Sequence, residues 1–129
     1  MGAQHSRSVV LDAGALIGLE SGDRRLSLLV QGALDAGEVV VPAGVVGQVW
    51  REGGRRARIA RALGDESTIV DALDEPMARV AGVLCGRSGT DDVIDASVVI
   101  AARRHDAVVI TTDAADLARL DPGLAMYAV

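Results

Sequence analysis

The amino-acid sequence predicts an α/β fold, a three-layer α/β/α sandwich in which a mainly parallel sheet is covered by helices on both faces. One observation is the regular alternation of short runs rich in Val, Ile and Thr with longer segments whose apolar residues have helical spacing. The other is the composition, since 50% of the 129 residues are hydrophobic and 24% are charged, as in globular proteins. We therefore expect a single domain over residues 1–129.

Strands are predicted where β-branched residues cluster, at residues 8–11, 38–41, 68–72, 107–111 and, as an edge strand, 125–129. Helical spacing predicts helices over residues 13–20, 24–36, 43–52, 55–63, 76–85, 91–105 and 114–120. Glycines set several of these boundaries. Gly37 ends the helix over 24–36, Gly53 and Gly54 break or bend the helix that starts at residue 43, and Gly86 ends the helix over 76–85.

The basic residues exclude several classes of mechanism. All 13 are arginine, so a catalytic lysine is excluded, and with it the phosphate-binding loop GxxxxGK[ST] and the acidic pocket with lysine of receiver domains. The net charge of −5 argues against a general nucleic-acid coat protein. It argues less against a nuclease, because bound divalent cations cancel the charge of a carboxylate cluster. Aromatic residues are 2% of the chain, so we do not expect base stacking on aromatic side chains.

Three sequence features bear on the compartment. No segment approaches the roughly 18 uninterrupted apolar residues of a membrane span. The N-terminus, MGAQHSRS, lacks the charged-then-apolar pattern of a signal peptide. The single cysteine, Cys85, cannot form an internal disulfide and is expected to be a buried small hydrophobic residue. We therefore expect a cytoplasmic protein with no membrane partner.

Three aspartates stand where the predicted fold brings them together. Asp12 and Asp113 follow predicted strands, and ligand sites in parallel sheets lie beyond the carboxyl ends of the strands. Asp95 lies in the apolar segment VIDASVVIAA with no basic residue three or four positions away, so its charge needs a partner if it is buried. Carboxylate oxygens suit hard cations such as Mg²⁺ or Mn²⁺. A metal ion is the economical partner, and an arginine from elsewhere in the fold is the alternative.

The acids at strand ends also have an ordinary structural interpretation. Asp12 and Asp113 can each be the N-cap of the helix that follows. Asp116 stands three residues after Asp113, in the position of a capping-box partner. The residue pattern leaves the capping and the metal-binding roles open for all three.

The acids at the start of the 91–105 helix are equally ambiguous. Asp91 and Asp92 follow Thr90, a good N-cap residue, and acids in a first turn favour the positive end of the helix dipole. Both can also share one helix face with Asp95, because they precede it by four and three positions.

Three segments carry a resemblance to a known family: VVLD, VIDASVVIAA and ITTDAAD. Over nearly the whole length, in order and at the usual spacing, the chain resembles PIN-domain ribonucleases of the VapC toxin type. The resemblance implies a PIN-like form of the predicted sandwich, with catalytic roles for Asp12, Asp95 and Asp113. It implies metal ligands at these three residues, at the less regular acid position of Asp116, and at Asp92 for the reason that follows.

The sequence departs from the family at Gln48, in PAGVVGQVWRE, where a Glu is usual. A Gln oxygen can still be a weak ligand or orient a water. Two acids can compensate for the missing charge, Glu52 one turn later or Asp92 one turn before Asp95. Asp92 is preferred, because the N-terminal end of its helix should face the site.

The resemblance implies hydrolysis of RNA phosphodiester bonds by metal-activated water, with one or two Mg²⁺ or Mn²⁺ ions held by the carboxylates. Thr111 and Thr112 would hydrogen-bond the ligands. It also implies a cognate antitoxin whose tail covers the acidic groove, and a homodimer.

Candidate RNA contacts are Arg51, Arg55 and Arg58, which fall with Arg61 near one stripe if the helix continues past the glycine pair. The alternative for each is a solvated arginine face.

Two other functions compete with the toxin-type endoribonuclease. One is a catalytically weak or inactive PIN-like protein that acts as a binding module, because of Gln48. The other is a phosphotransfer enzyme with Asp12 as nucleophile. That chemistry usually has an acid two residues later and a lysine, whereas this sequence has Gly14 and no lysine.

Overall fold

The computed structural model describes residues 8–51 and 53–129. A five-stranded sheet lies at its centre, with the strand order β3-β2-β1-β4-β5. Every neighbouring pair of strands is parallel. The strands are β1 (Val9–Leu11), β2 (Val39–Pro42), β3 (Thr68–Asp71), β4 (Val108–Thr111) and β5 (Met126–Ala128).

Helices connect each strand to the next along the chain. Those of the described residues are α1 (Ala13–Glu20), α2 (Arg24–Ala36), α3 (Ala43–Arg51), α4 (Ala57–Leu63), α5 (Glu75–Ser88), α6 (Val93–His105) and α7 (Ala114–Leu120). In one group α1 contacts α2, α3 and α4, and in the other α6 contacts α5 and α7. The two groups enclose the sheet. The predicted α/β sandwich is confirmed, and its sheet is parallel throughout.

The order of the strands in the sheet predicts where a ligand would bind. The chain passes from β1 to β2 on one side, whereas β4 pairs with the other side of β1. The carboxyl ends of β1 and β4 therefore form a switch point, the place where open parallel sheets bind ligands. Leu11 pairs with Ile110, so the residues that follow the two strands emerge side by side.

The middle strands and α6 form the core. Residues of β1 and β2 are almost fully buried, and α6 is buried continuously from Ala96 to Ala102. Helix α6 packs on β1, β2 and β4, and α5 covers its other side. Because most of its surface is buried in this way, its residues are apolar on nearly every face. Cys85 is 5% exposed in the same core, as predicted.

Three helix boundaries differ from the prediction by two residues or more. The first is the start of α4, which begins at Ala57 instead of residue 55 and follows Gly53 and Gly54, whose φ values are +74° and +79°. Gly86 does not end α5, which continues to Ser88 and stops at Gly89 in the left-handed conformation. Glycine inside a helix costs stability but does not by itself terminate it.

The third difference is at the start of α6. The N-cap is Asp92, whose Oδ1 accepts from the backbone N–H of Asp95 at 2.9 Å. Thr90 instead accepts a long bond, 3.4 Å, from the backbone of Asp92. Asp91 therefore lies outside the helix that was predicted to begin with it.

His105, at the end of α6, lies between two carboxylates. Its Nε2 is 3.0 Å from Oδ2 of Asp71, and its Nδ1 is 3.3 Å from Oε1 of Glu38. The contact joins α6 to β3 and to the start of β2, away from the carboxyl end of β1. None of the helices in the described part of the chain has both the length and the hydropathy that a membrane span requires.

Candidate functional site

A pocket of about 210 Å³ opens at the carboxyl ends of β1 and β4. Its acidic lining consists of Asp12, Asp92, Asp95, Asp113 and Asp116. These residues come from the end of β1, the start of α6 and the loop between β4 and α7. The structure thus brings together in one cavity every acid that the sequence marked as a candidate ligand.

Asp12 is the most buried of these acids, at 5% exposure. Its Oδ1 accepts from the backbone N–H of Ala15 at 2.8 Å, so it is the N-cap of α1. Its Oδ2 accepts from the hydroxyl of Thr111, and the backbone N–H of Thr112 also bonds to the carboxylate. Burial raises the pKa of Asp12, and these hydrogen bonds oppose the rise by stabilising the charged form. The capping interpretation holds for Asp12, and capping and pocket lining coexist in one side chain.

Thr111 connects two of the acids. Its side chain is fully buried, donates to Asp12, and accepts from the backbone N–H of Asp113 at 2.8 Å. Asp113 stands at the N-cap position of α7, but its side chain forms no capping hydrogen bond within the described residues. The carboxylate of Asp113 is therefore exposed to the pocket, and its predicted capping box with Asp116 does not form.

Asp95 has a strongly shifted pKa. Its pKa is raised to about 7, first by burial and then by the charges of Asp92, Asp116, Asp113 and Asp12. Burial makes the largest contribution to this rise, and the neighbouring carboxylates that share the pocket add to it. No ion pair to Asp95 is present in the described part of the chain, so the arginine partner considered as an alternative does not occur there.

Gln48 lines the same pocket, on α3. The start of α3 lies against the start of α6, where a Cβ on Gly44 would stand 3.0 Å from Cγ1 of Ile94. This close approach brings the helices of Gln48 and Asp95 together. Asp92, the preferred substitute for the missing Glu, does reach the pocket, although one of its oxygens caps α6. Glu52, the other candidate substitute, lies outside the described residues.

The apolar lining of the pocket was not predicted from the sequence, and two of its residues, Gly14 and Ile17, bear on the shape of the site. Gly14 lines the pocket, and a Cβ there would stand 1.8 Å from Oγ1 of Thr112, so only glycine fits. The available signal was a glycine in the first turn of a helix, where it is unfavourable unless another group approaches closely. Ile17, one turn later, lines the pocket while remaining 47% exposed.

The candidate RNA-binding arginines do not form one stripe, because the helix is interrupted after Arg51. Arg51 lines the acidic pocket. Arg55 lies in a neighbouring groove. Arg58 is held at the end of α1, where its Nη1 donates to the backbone oxygen of Glu20 at 3.3 Å, and it lines a different cavity with Arg61. Arg58 therefore lies in a different cavity from Arg51, and the two do not line the acidic pocket together.

The donor atoms of the pocket are oxygens, as Mg²⁺ and Mn²⁺ prefer. Within residues 8–51 and 53–129, however, no group of three or more His, Cys, Asp or Glu side chains is arranged so that it could hold a metal ion as it stands. The carboxylates share a cavity without forming a preassembled cluster.

Comparison with known proteins gives a likeness of fold. A structure of FitAB bound to the IR36 DNA fragment has 16% sequence identity and a TM-score of 0.64, over 93% of this chain and 94% of that chain. VapBC2 from Rickettsia felis, bound to a promoter DNA fragment, has 10% identity and a TM-score of 0.69, over 95% and 98%. FitAcB from Neisseria gonorrhoeae has 17% identity and a TM-score of 0.61, over 92% and 96%. The fold is PIN-like.

The comparisons also correct the sequence-based assignment. No protein-family model matches the chain. No curated protein matches it either. The solved structures that match include those of FitAB, VapBC2 and FitAcB, at 10–17% identity, and such a likeness shows the fold alone. The assignment to the VapC-type toxin ribonucleases was therefore wrong at the level of the family, because three short segments matched a pattern that the whole sequence does not support.

Proposed function

We propose that the protein is a divalent-ion-dependent endoribonuclease and one component of a toxin–antitoxin pair. The observation that carries the proposal is the convergence of Asp12, Asp95 and Asp113, with the pKa of Asp95 raised to about 7 by its burial and its acidic neighbours. Like charges gathered around the buried Asp12 and the partly buried Asp95 are costly without a cation, and such perturbed groups are typical of functional sites.

The chemistry of the pocket suits Mg²⁺ or Mn²⁺. Asp95 and Asp113 have carboxylate oxygens free of capping bonds within the described residues, and Asp12 is held in a fixed orientation by Thr111 and Ala15. We propose these three as the principal ligands, with Asp92, Asp116 and Gln48 in weaker or supporting positions. A bound divalent ion supplies charge to balance the phosphate and lowers the pKa of a water for attack on phosphorus.

The chain's own residues then have separate tasks. Asp12 and Thr111 hold the floor of the pocket rigid, because both are buried and bonded to each other. Arg51 lines the mouth, where a guanidinium can meet a phosphate oxygen. We propose that a phosphodiester from a single strand enters the pocket, where a divalent ion held by the aspartates would balance its charge, while the bases remain outside, as in RNA loops.

The test is cleavage of a structured RNA by the purified protein with Mg²⁺ or Mn²⁺. We expect products with a 5′-phosphate and a 3′-hydroxyl, activity that chelation abolishes, and a loss of at least about a hundredfold in Asp95→Asn. Asp106→Asn is the matched control, because Asp106 ends α6 in the left-handed conformation that Asn tolerates. Equal rates for Asp95→Asn and the wild type would remove Asp95 from the mechanism.

A second candidate is a catalytically weak protein that binds a partner through the same pocket. The observation that favours it is Gln48, a neutral side chain in the pocket wall, together with the absence of a preassembled metal cluster among the described residues. Gln48→Glu separates the two candidates. If this substitution creates cleavage where the natural protein has none, the binding function is supported.

The proposed partner is a small antitoxin protein, and the proposed state of the chain is a homodimer. The matching structures of FitAB and VapBC2 are assemblies bound to DNA, which supports a protein partner for this chain as well. Co-expression with the product of a neighbouring short reading frame, followed by light scattering, tests both. A monomer that forms no complex with that product would contradict this part of the proposal.

A further inference from the structure

A groove adjoins the acidic pocket and shares one residue with it. Ile17 lines both cavities, so they are neighbours across a single side chain. The groove has a volume of about 340 Å³ and lies between α1, α3 and α4. Its floor is aliphatic, formed by Ile17 together with Val49 and Ile59, which are 3% and 1% exposed. Its rim carries Arg55 and Arg56.

Among the described residues that line the groove, two are arginines and one is an acid. The acid is Glu20, whose Oε1 accepts from the backbone N–H groups of Arg58 at 2.9 Å and Ile59 at 3.2 Å, at the start of α4, and it forms no ion pair with either arginine of the rim. Arg55 is exposed and forms no ion pair with any of the described residues. The groove therefore combines an aliphatic side with an exposed guanidinium that has no ion-pair partner in the described part of the chain.

Arg56 is held in place by Trp50. Its guanidinium lies 5.1 Å from the centre of the indole ring, and its Nη1 donates to the backbone oxygen of Trp50 at 3.2 Å. The positive φ values of Gly53 and Gly54 create the turn that returns the chain to this position after α3. The arginine rim is thus built into the fold by a specific turn and a stacked pair.

The two cavities differ in their lining. Five aspartates line the acidic pocket, whereas the groove combines aliphatic side chains with Arg55 and Arg56. A nucleotide has the two surfaces that the groove offers in complementary form, an apolar base face and an anionic phosphate. The adjacency through Ile17 places such a nucleotide next to whatever phosphodiester enters the acidic pocket.

We propose that this groove holds the nucleotide beside the scissile phosphate of a single-stranded RNA. The base lies against Ile17, the exposed aliphatic side chain of the groove, and the outer phosphate meets Arg55. This inference rests on the proposed ribonuclease function and adds the place where the substrate is held. An acidic peptide is the competing occupant, but it offers no flat apolar face for the floor.

Trp50 is the single tryptophan of the chain, so its fluorescence reports on the rim directly. We would titrate the Asp95→Asn protein with a short oligouridylate in Mg²⁺ and follow Trp50 emission. We expect the emission to change and to reach saturation. When Arg55→Gln is added, we expect binding weaker by roughly fivefold. The slope of the logarithm of the binding constant against the logarithm of the salt concentration should then be smaller by about 0.7, the value of one single-strand phosphate contact. Arg55→Lys should retain that slope, because it keeps the charge.

Arg87→Gln is the matched control, since Arg87 is on α5, which packs mainly against α6 and α7. When it is added to the Asp95→Asn protein, the response of Trp50 emission to oligouridylate and the salt dependence of binding should stay the same. If the wild type cleaves RNA but oligouridylate leaves Trp50 emission unchanged, or Arg55→Gln binds as before, the groove proposal is overturned while the ribonuclease proposal stands. If oligouridylate binds with the expected Arg55 dependence and the wild type cleaves no RNA, the groove binds single-stranded RNA and the ribonuclease proposal is overturned. An oligoglutamate peptide that alone produces the Arg55-dependent change would identify a peptide site and overturn the proposal.

Discussion

The hydroxyl of Thr111 donates a hydrogen bond to Oδ2 of Asp12, a residue 99 positions earlier in the chain. Both side chains are buried, and the same hydroxyl accepts from the backbone of Asp113. One side chain thus fixes the relative position of two candidate ligands. The parallel pairing of β1 and β4 makes the contact, because it aligns the ends of the two strands.

Replacing Thr111 by Val should reduce the free energy of unfolding by about 1–3 kcal/mol, because Asp12 then keeps a buried oxygen without its donor. Thr111→Ser should remain close to the wild type, since it keeps the hydroxyl. Urea denaturation of the three proteins provides the measurement. A Val variant as stable as the wild type, with the loss in the Ser variant instead, would mean that shape rather than the hydrogen bond makes Thr111 important.

Gly14→Ala should be destabilising by about 1–3 kcal/mol, because its Cβ would overlap the side chain of Thr112. The double variant Gly14→Ala with Thr112→Ala should recover most of the loss, as the overlapping atoms are then absent. A double-mutant cycle in thermal unfolding measures this coupling. Additive effects would show that the approach of Gly14 to Thr112 is not what constrains the start of α1.

Asp95 should make the stability of the metal-free protein pH-dependent. Its pKa is about 7 in the fold against an ordinary value of 3.8, so between these values the folded chain holds a proton that the unfolded chain has lost. The contribution of this group to stability is therefore full below about pH 4 and is lost as the pH rises through about 7.

Asp95→Asn removes this titration. The variant should exceed the wild type in free energy of unfolding by about 1–2 kcal/mol at pH 8, a discounted figure because the carboxyl is partly exposed. The difference should vanish near pH 4. Denaturant unfolding across this range checks it, and a constant difference at all pH values would contradict the raised pKa.

Gln48→Glu should strengthen the binding of Mn²⁺ by roughly tenfold, because it adds a charged oxygen to the pocket wall. In the metal-free protein it should also raise the pKa of Asp95 further, since the new carboxylate faces the same cavity. Gln31→Glu, on the exposed face of α2, adds the same charge elsewhere and should change neither quantity. Calorimetric titration with Mn²⁺ compares the three proteins, and equal affinities would show that position 48 is not near the ion.

Periodicity was sufficient for most of the fold. The observed bounds of α2 and α7 coincide with the predicted ranges, because apolar spacing and clear terminal residues define both. It failed to predict the end of α5, because Gly86 is predicted to end the helix, whereas the packed helix continues to Ser88. It also failed after Arg51, where two positive φ angles redirect the chain in a way that composition alone does not specify.

The site was predictable in its parts but not in its geometry. Strand ends identified Asp12 and Asp113, and an acid in an apolar helix identified Asp95, each from local sequence. The bond between Thr111 and Asp12 depends on which strands are neighbours, and the groove beside Ile17 depends on how α1, α3 and α4 meet. Contacts between distant segments are rarely visible in the local sequence. Gly14 is an exception, because a glycine in the first turn of a helix is unfavourable unless another group approaches it closely.

The most direct test of the central claim is Mn²⁺ binding, because it asks whether acids from distant parts of the chain form one divalent-ion site. Calorimetric titration at pH 8 should show a saturable site in the wild type and in the control Asp106→Asn. Asp12→Asn, Asp95→Asn and Asp113→Asn should each weaken it by at least about tenfold. A wild type that binds no Mn²⁺, or variants that bind it as tightly as the wild type, would contradict the claim.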